Sequence, residues 1–284
     1  MLIGFMPAKP KLGQNFLHDA SAIRRIVAAL GDVSEETVVE IGPGNGALTG
    51  VLAHHAARLI AIELDRELAR RLRSFVGSQR VSIVEQDALQ FDFAALAAEA
   101  GRKLVVVGNL PYYITSPILL HLAASHAALD RAVLMVQREV AERIVAPPGS
   151  RDHGLLSVTA QMYGPAEALF TLPPGAFSPP PQVYSTVFRW RFAPRFASLK
   201  VDEHAFLAFA RKAFAQKRKT LANNLRAAGY APTRIGEALE QGGVEPSARA
   251  ETLSLEAMAR VFHGIDGSPT TRSAPPKLPA APPL

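Results

Sequence analysis

The stretch "VVEIGPGNGALT", Val38 to Thr49, decides how this chain is read. Val38, Val39 and Ile41 form a short apolar run with the look of a buried strand. Gly42, Gly44 and Gly46 follow at alternate positions, and "GNGALTGVLAHH" reads as a turn into a helix. Glycines at such a junction let the backbone approach a ligand closely, and a helix N-terminus favours an anion.

The same rhythm continues outward. "RLIAIELD" (58–65) reads as a second strand followed by a helix through "RELARRLRSF". "RVSIVEQDAL" (80–89) and "KLVVVGNL" (103–110) read as the third and fourth strands, and "RAVLMVQREVAERIV" (131–145) as a fifth running into a helix. Alternating strands and helices predict an α/β fold around a parallel sheet. The apolar runs Val105–Val107 and Val133–Val136 suit strands covered on both faces. Upstream, Asp19 is placed to cap a helix with Ile23, Ile26, Val27 and Leu30 at helical spacing.

Beyond Val145 the rhythm changes. "LLSVTAQMY" reads as helix and "AEALFTL" as a short strand. "PPGAFSPPPQV" is a stiff proline loop, and "YSTVFRWRF" a last strand with Thr186, Phe188 and Trp190 alternating. Residues 1–192 are expected to form a catalytic domain and 203–263 a small, wholly helical one. The proline-rich segment 264–284 is expected to be a disordered tail.

The totals narrow the function. With 284 residues the chain can bury a large core and fill two domains. It has no cysteine, which excludes disulfides, thiolate zinc sites and cysteine nucleophiles. The eight histidines show no metal-ligand spacing, so no metal is expected. No apolar run reaches the ~18 residues of a membrane span. The N-terminus lacks the pattern of a signal peptide, so a cytoplasmic location is expected. A net charge of +6 hints at a polyanionic partner.

Gly42-x-Gly44-x-x-Ala47 fits a dinucleotide-binding fingerprint, and Glu63 lies 21 residues beyond Gly42 at the end of the next strand. An acid there can accept both ribose hydroxyls of an adenosine. NAD(H) and S-adenosylmethionine both satisfy the loop. Glu40, two residues before the first glycine, makes "ExGxGxG", typical of class I S-adenosylmethionine-dependent methyltransferases. Asp87 in "VEQDAL" adds an acid that can accept from adenine N6. Glu40, Glu63 and Asp87 are thus expected at three successive strand ends, along the edge where open α/β sheets bind ligands.

Asn109 follows the fourth strand onto that edge. Asn109-Leu110-Pro111-Tyr112 resembles the [DNS]-[IP]-P-[YFW] motif of amino methyltransferases. The Asn109 side-chain oxygen can accept one N6 hydrogen and the Leu110 carbonyl, aimed by Pro111, the other. Tyr112 can stack on the flipped base. Tyr113 has no assigned role. Phe177, in the proline loop, is the candidate for the base's other face.

"LGQNFL", "VVEIGPGNGALT", "IAIELD", "EQDAL", "VVGNLPYYITSPIL", "MVQREVAERI", "FSPPPQV" and "ARKAFAQKRKTLANNL" occur in this order. Together they resemble the KsgA/RsmA type of ribosomal RNA small-subunit adenine-N6 dimethyltransferases, over about residues 9–262. The resemblance implies a class I, Rossmann-like, mostly parallel sheet flanked by helices with a small helical C-terminal domain. It implies dimethylation of two adjacent adenosines near the 3′ end of 16S rRNA, late in small-subunit assembly; the protein is expected to be a monomer. It also implies that Asn15 and Leu17 contact S-adenosylmethionine with Gly42, Gly44, Glu63, Asp87 and Asn109, and that Gln14 helps close that edge. The chain departs from the pattern at Gln182 and Tyr184, where the family has Lys and Asp, and at His18, where it is commonly apolar.

"FARKAFAQKRKTLANNLR" (209–226) holds Arg211, Lys212, Lys217, Arg218, Lys219 and Arg226 and no acid. Read as one continuous helix, 211, 218 and 226 share a face, with Phe214, Leu221 and Leu225 turned inward. Such a cationic face points to RNA phosphates. Rival readings are a methyltransferase of large-subunit rRNA, an assembly or transcription factor without turnover, and an NAD-dependent dehydrogenase. For the dehydrogenase no catalytic His, Lys or Tyr-x-x-x-Lys set is evident. The second domain and "QKRKTLANNL" favour the small-subunit enzyme.

Overall fold

A computed structural model describes residues 15–75 and 80–266 of the chain. Gln14 and residues 267–284, most of the expected tail, lie outside the described residues. The chain divides between Lys200 and Val201 into two compact units.

The first unit is built on a seven-stranded sheet. Its strands are β2 (Thr37–Ile41), β3 (Arg58–Glu63), β4 (Val81–Glu85), β5 (Leu104–Asn109), β6 (Leu129–Gln137), β7 (Ala166–Leu172) and β9 (Ser185–Arg191). Their spatial order is β4-β3-β2-β5-β6-β9-β7. The first five run parallel, and β9 and β7 join antiparallel at one side. β2 is buried along its whole length and β5 up to Gly108, as continuous apolar runs require when helices cover both faces. β9 is buried on both faces too, so Val187 is as inaccessible as Thr186, Phe188 and Trp190. A two-residue ladder joins β1 (Phe16–Leu17) to β8 (Phe177–Ser178), pairing Leu17 with Phe177.

Local chemistry sets the helix ends. Asp19 caps α1 (Ala20–Ala29), its Oδ1 accepting from the N–H groups of Ser21 and Ala22 at 2.8 and 2.9 Å. Ile26, Val27 and Leu30 turn inward against Val38, Val105 and Val133 of the sheet. The parallel strands are linked by α2 (Thr49–His55), α3 (Arg66–Phe75), α4 (Phe93–Ala100) and α5 (Thr115–Ala124), and α6 (Arg138–Val145) and α7 (Leu155–Tyr163) lead from β6 to β7. The fold reading is met: an α/β sheet, mostly parallel, with helices after it.

The strand-end reading of the acids needs correction. Glu40 lies within β2, one residue short of its end. Asp87 lies two residues beyond β4, where its carboxylate caps the short 3-10 turn Ala88–Gln90. Only Glu63 ends its strand.

The second unit holds α8 (Glu203–Ala213), α9 (Leu221–Ala227), α10 (Pro232–Gly242) and α11 (Leu255–Asp266). Phe206, Phe209 and Phe262 make its aromatic centre, with edge-on contacts at 5.5 and 5.6 Å to Phe262. The continuous helix expected over 209–226 is broken. α8 stops at Ala213, and residues 214–220 form a turn before Thr220 caps α9 through its Oγ1 and the Asn223 N–H. Buried Asn224 holds the break. Its Nδ2 donates to the carbonyls of Ala213 (2.7 Å) and Gln216 (3.2 Å), and its Oδ1 accepts from the Gln216 N–H (3.2 Å). A buried amide making three such bonds stabilises a chain reversal that helical propensity alone would run through. Asn224→Ala is expected to cost about 2–4 kcal/mol by leaving backbone groups unpaired. Urea unfolding of the full chain checks this; a loss within error would remove Asn224 as the clamp.

Candidate active site

One large cleft opens at the carboxyl edge of the parallel strands. It spans about 1040 Å³ with its mouth included and is walled by the glycine loop, the Asn15–Leu17 segment, Glu63, Asp87 and the Asn109–Ile114 turn. That is the edge where the topology reverses between β2 and β5, the switch point at which such sheets bind ligands.

The glycine loop is shaped by its own backbone. Gly42, Gly44 and Gly46 all take positive φ. A Cβ at Gly44 would sit 2.9 Å from the Phe16 ring, so this position is closed to any side chain on two counts. Glu63, 3% exposed, ties the loop to the sheet. Its Oε2 accepts from the Gly44 N–H at 3.0 Å and its Oε1 from the Asp65 N–H at 2.9 Å. Burial, only partly offset by those amides, pushes its pKa up. Glu40 is buried behind the loop and accepts from the Thr49 hydroxyl at 2.7 Å. Asp87 uses Oδ1 on the Leu89 N–H at 2.9 Å.

The Asn109 side chain is oriented by the N-terminal segment. Its Nδ2 donates to the Asn15 carbonyl at 2.9 Å. A carbonyl can only accept, so the contact fixes which end of the amide points where. Oδ1 then has no partner among the described residues. The Leu110 N–H donates to the Met135 carbonyl at 3.0 Å, anchoring the turn to β6. The Leu110 carbonyl also accepts nothing among the described residues. Tyr112 sits on a 3-10 turn, half-buried, with its hydroxyl 2.8 Å from Ser185 Oγ. Desolvation raises its pKa, so the phenol stays neutral. Tyr113, 60% exposed, stands at the cleft mouth.

The structure brings together Asn15, Leu17, Gly42, Gly44, Glu63, Asp87, Asn109, Leu110, Pro111 and Tyr112 on one cleft. It does not place Phe177 there. Phe177 is 3% exposed in the core cluster with Leu17 and Val187, because pairing of β8 with β1 turns the ring inward. As it stands the ring packs in that core and does not line the cleft. Four contributors escaped the sequence reading: Phe16 against Gly44, Leu64 at the mouth, Thr49 on Glu40 and Ser185 on Tyr112. Phe16 had a signal in "GQNFL", one of the stretches that carry the family resemblance; Ser185, 73 residues from Tyr112, had none.

At the departures from the family pattern, His18, Gln182 and Tyr184 are all exposed. The Arg138 guanidinium lies 5.3 Å from the Tyr184 ring centroid, and the Arg138 N–H donates to the Tyr184 carbonyl at 2.9 Å. In the second unit Arg211, Lys212, Lys217, Arg218, Lys219 and Arg226 are all exposed. Arg211 and Lys212 end α8, Lys217–Lys219 ride the turn, and Arg226 is on α9, so no single helix face unites them. Leu221 and Leu225 are buried as expected, and Phe214 partly so. Lys212 Nζ donates to the Tyr230 hydroxyl at 3.0 Å.

A family model described as ribosomal RNA adenine dimethylase matches residues 6–266. The chain belongs to the ribosomal RNA adenine dimethylase family. Among curated relatives, a ribosomal RNA small subunit methyltransferase A of Acidobacterium capsulatum is 60% identical over 91% of each chain. One from Koribacter versatilis is 50% identical over 90% of this chain and 94% of its own. Among solved structures, the 23S rRNA methyltransferase ErmE is 26% identical, with a TM-score of 0.69 over 89% of this chain and all of its own. A Plasmodium falciparum dimethyladenosine transferase, 23% identical with a TM-score of 0.74, shares the fold.

The protein is an S-adenosylmethionine-dependent rRNA adenine methyltransferase. The cleft suits that donor: it offers carboxylates for hydroxyl and cationic groups and apolar walls from Phe16, Leu64 and Ile118 for a purine. Among the described residues no helix is long and apolar enough to cross a membrane.

Proposed function

We propose that the protein transfers two methyl groups to N6 of each of two adjacent adenosines near the 3′ end of 16S rRNA, in the late small ribosomal subunit, as a cytoplasmic monomer. The observation that carries the chemistry is the Asn109 amide, held through Nδ2 by Asn15 with Oδ1 left free at the cleft.

The N6 lone pair of adenine is delocalised into the ring and is a poor nucleophile. Asn109 Oδ1 accepts one N6 hydrogen and the Leu110 carbonyl the other, which lets the nitrogen pyramidalise. Bound S-adenosylmethionine supplies an electrophilic methyl on a sulfonium. Fixed acceptors stabilise the positive charge that grows on the nitrogen, the counterpart of an oxyanion hole. Holding the nitrogen in line supplies much of the remaining rate. No strong base is needed, because the N6 proton becomes acidic only after transfer and then leaves to solvent. Tyr112, pinned by Ser185, stacks on the target base after it leaves its helical stack. Glu63 takes the ribose hydroxyls, Asp87 the adenine of the cofactor, and Asn15 and Leu17 the remaining edge. Arg211, Lys212, Lys217, Arg218, Lys219 and Arg226 contact phosphates, which position the RNA without reading sequence.

Similarity favours small-subunit over large-subunit RNA. The 60% identity to a small-subunit enzyme far exceeds the 26% to a 23S enzyme. Possession of a second unit does not decide it, since the 23S enzyme matches over 89% of this chain. Labelled methyl transfer to undermethylated 30S subunits, set beside 50S subunits and free 23S rRNA, tests the choice. Label confined to 30S is expected; label on 23S rRNA alone would reverse the assignment.

A further inference from the structure

The cleft carries three acids, Glu40, Glu63 and Asp87, and among the described residues no Lys, Arg or His lines it. Glu40 is the most buried of them, 1% exposed. In sheet register it lies beside Ala61 of β3 and Val107 of β5, neither ionisable. From α2 the Thr49 hydroxyl donates to it. The charged group that acts on it is another acid, Glu63. A carboxylate so placed has lost its water and gained an anionic neighbour in place of a cation. Nothing in the methyl-transfer chemistry above uses it.

We propose that Glu40 makes the cleft sense the charge of its occupant: the acid keeps its proton while no cation is bound, gives it to solvent when the methyl donor enters, and so holds the donor in preference to the spent cofactor. This rests on the cleft being the S-adenosylmethionine site. The donor carries a sulfonium and an ammonium against one carboxylate. S-adenosylhomocysteine, the product, has a neutral sulfide where the sulfonium was. A cation in this poorly hydrated wall favours the ionised acid, and the donor has one more positive charge than the product to do so. Burial, partly offset by the Thr49 hydroxyl and reinforced by Glu63, raises the Glu40 pKa to about 7. At pH 6.5 roughly three-quarters of the free protein then carries the proton.

Calorimetric titration of the full chain at pH 6.5, in phosphate and in imidazole buffer, counts the protons exchanged. S-adenosylmethionine is expected to release more than about half a proton and S-adenosylhomocysteine distinctly less. Glu40→Gln should abolish most of the release and narrow the donor-to-product ratio of Kd values by about tenfold. Thr49→Val keeps the acid but removes its hydroxyl donor, and should move the release to higher pH. Thermal melting of the ligand-free proteins shows that the variants fold and adds an independent sign. A raised folded-state pKa stabilises below the ordinary carboxyl range, and that stabilisation is lost as pH rises through 7. Glu40→Gln should therefore gain melting temperature more at pH 8 than at pH 5.5. Equal proton release from wild type and Glu40→Gln, or equal release by both ligands, would overturn the inference alone. Failure of both ligands to bind wild type would overturn the reading of the cleft as well.

Discussion

Asn109→Ala is expected to lower kcat for methyl transfer by about 10³-fold or more, while RNA affinity stays within about threefold. The substitution removes an acceptor whose orientation is fixed by the Asn15 carbonyl. Leu110 remains anchored to Met135 and Tyr112 to Ser185, so the turn itself keeps two of its ties. The loss should fall on kcat rather than KM, because the acceptor matters most when charge grows on the nitrogen. Asn109→Asp offers an oxygen in the same place but sets an anion against the Asn15 carbonyl, and should recover little. Single-turnover methylation with excess enzyme reads the chemical step directly. A rate within tenfold of wild type would mean that Asn109 only shapes the turn.

Glu63→Ala is expected to weaken S-adenosylmethionine binding by about 10²-fold, or close to 3 kcal/mol. Its carboxylate accepts the N–H groups of Gly44 and Asp65 and so holds the loop at its positive-φ turn, beside the role in receiving ligand hydroxyls proposed for it. Each hydrogen bond to a charged group contributes about 1.5–3 kcal/mol, and two are lost together. Glu63→Gln keeps one acceptor but turns an N–H toward the other amide, and should fall between the two. Calorimetry at constant pH measures this, and unchanged affinity for Glu63→Ala would remove the residue from the cofactor's site.

Much of this was legible because parallel strands covered on both faces write themselves as unbroken apolar runs. The glycine loop, the Glu63 spacing and "NLPY" each sit immediately after such a run, so finding the strand located the ligand edge. What could not be read depends on segments far apart in sequence. The β1–β8 ladder joins residues 160 positions apart, and it is this pairing that buries Phe177 and leaves Phe16 against Gly44. The register also put Glu40 inside its strand, where a carboxyl reads as a ligand but is first a buried acid. The break after Ala213 was invisible because "QKRKT" has good helical propensity. A single buried amide, Asn224, overrides it by bonding across the turn. The cationic residues therefore lie on two helices and a turn instead of one face, which changes how they can meet phosphates but not their charge.

The most direct test of the central claim, that Asn109 and its neighbours present adenine N6 to a methyl donor, is mass spectrometry of nucleosides from treated subunits. Undermethylated 30S subunits incubated with the protein and S-adenosylmethionine should yield N6,N6-dimethyladenosine, mapped to two adjacent positions near the 3′ end of 16S rRNA, and Asn109→Ala should yield none. Methylation at a ring nitrogen, at a ribose hydroxyl or on another base, or dimethyladenosine formed equally by Asn109→Ala, would contradict it.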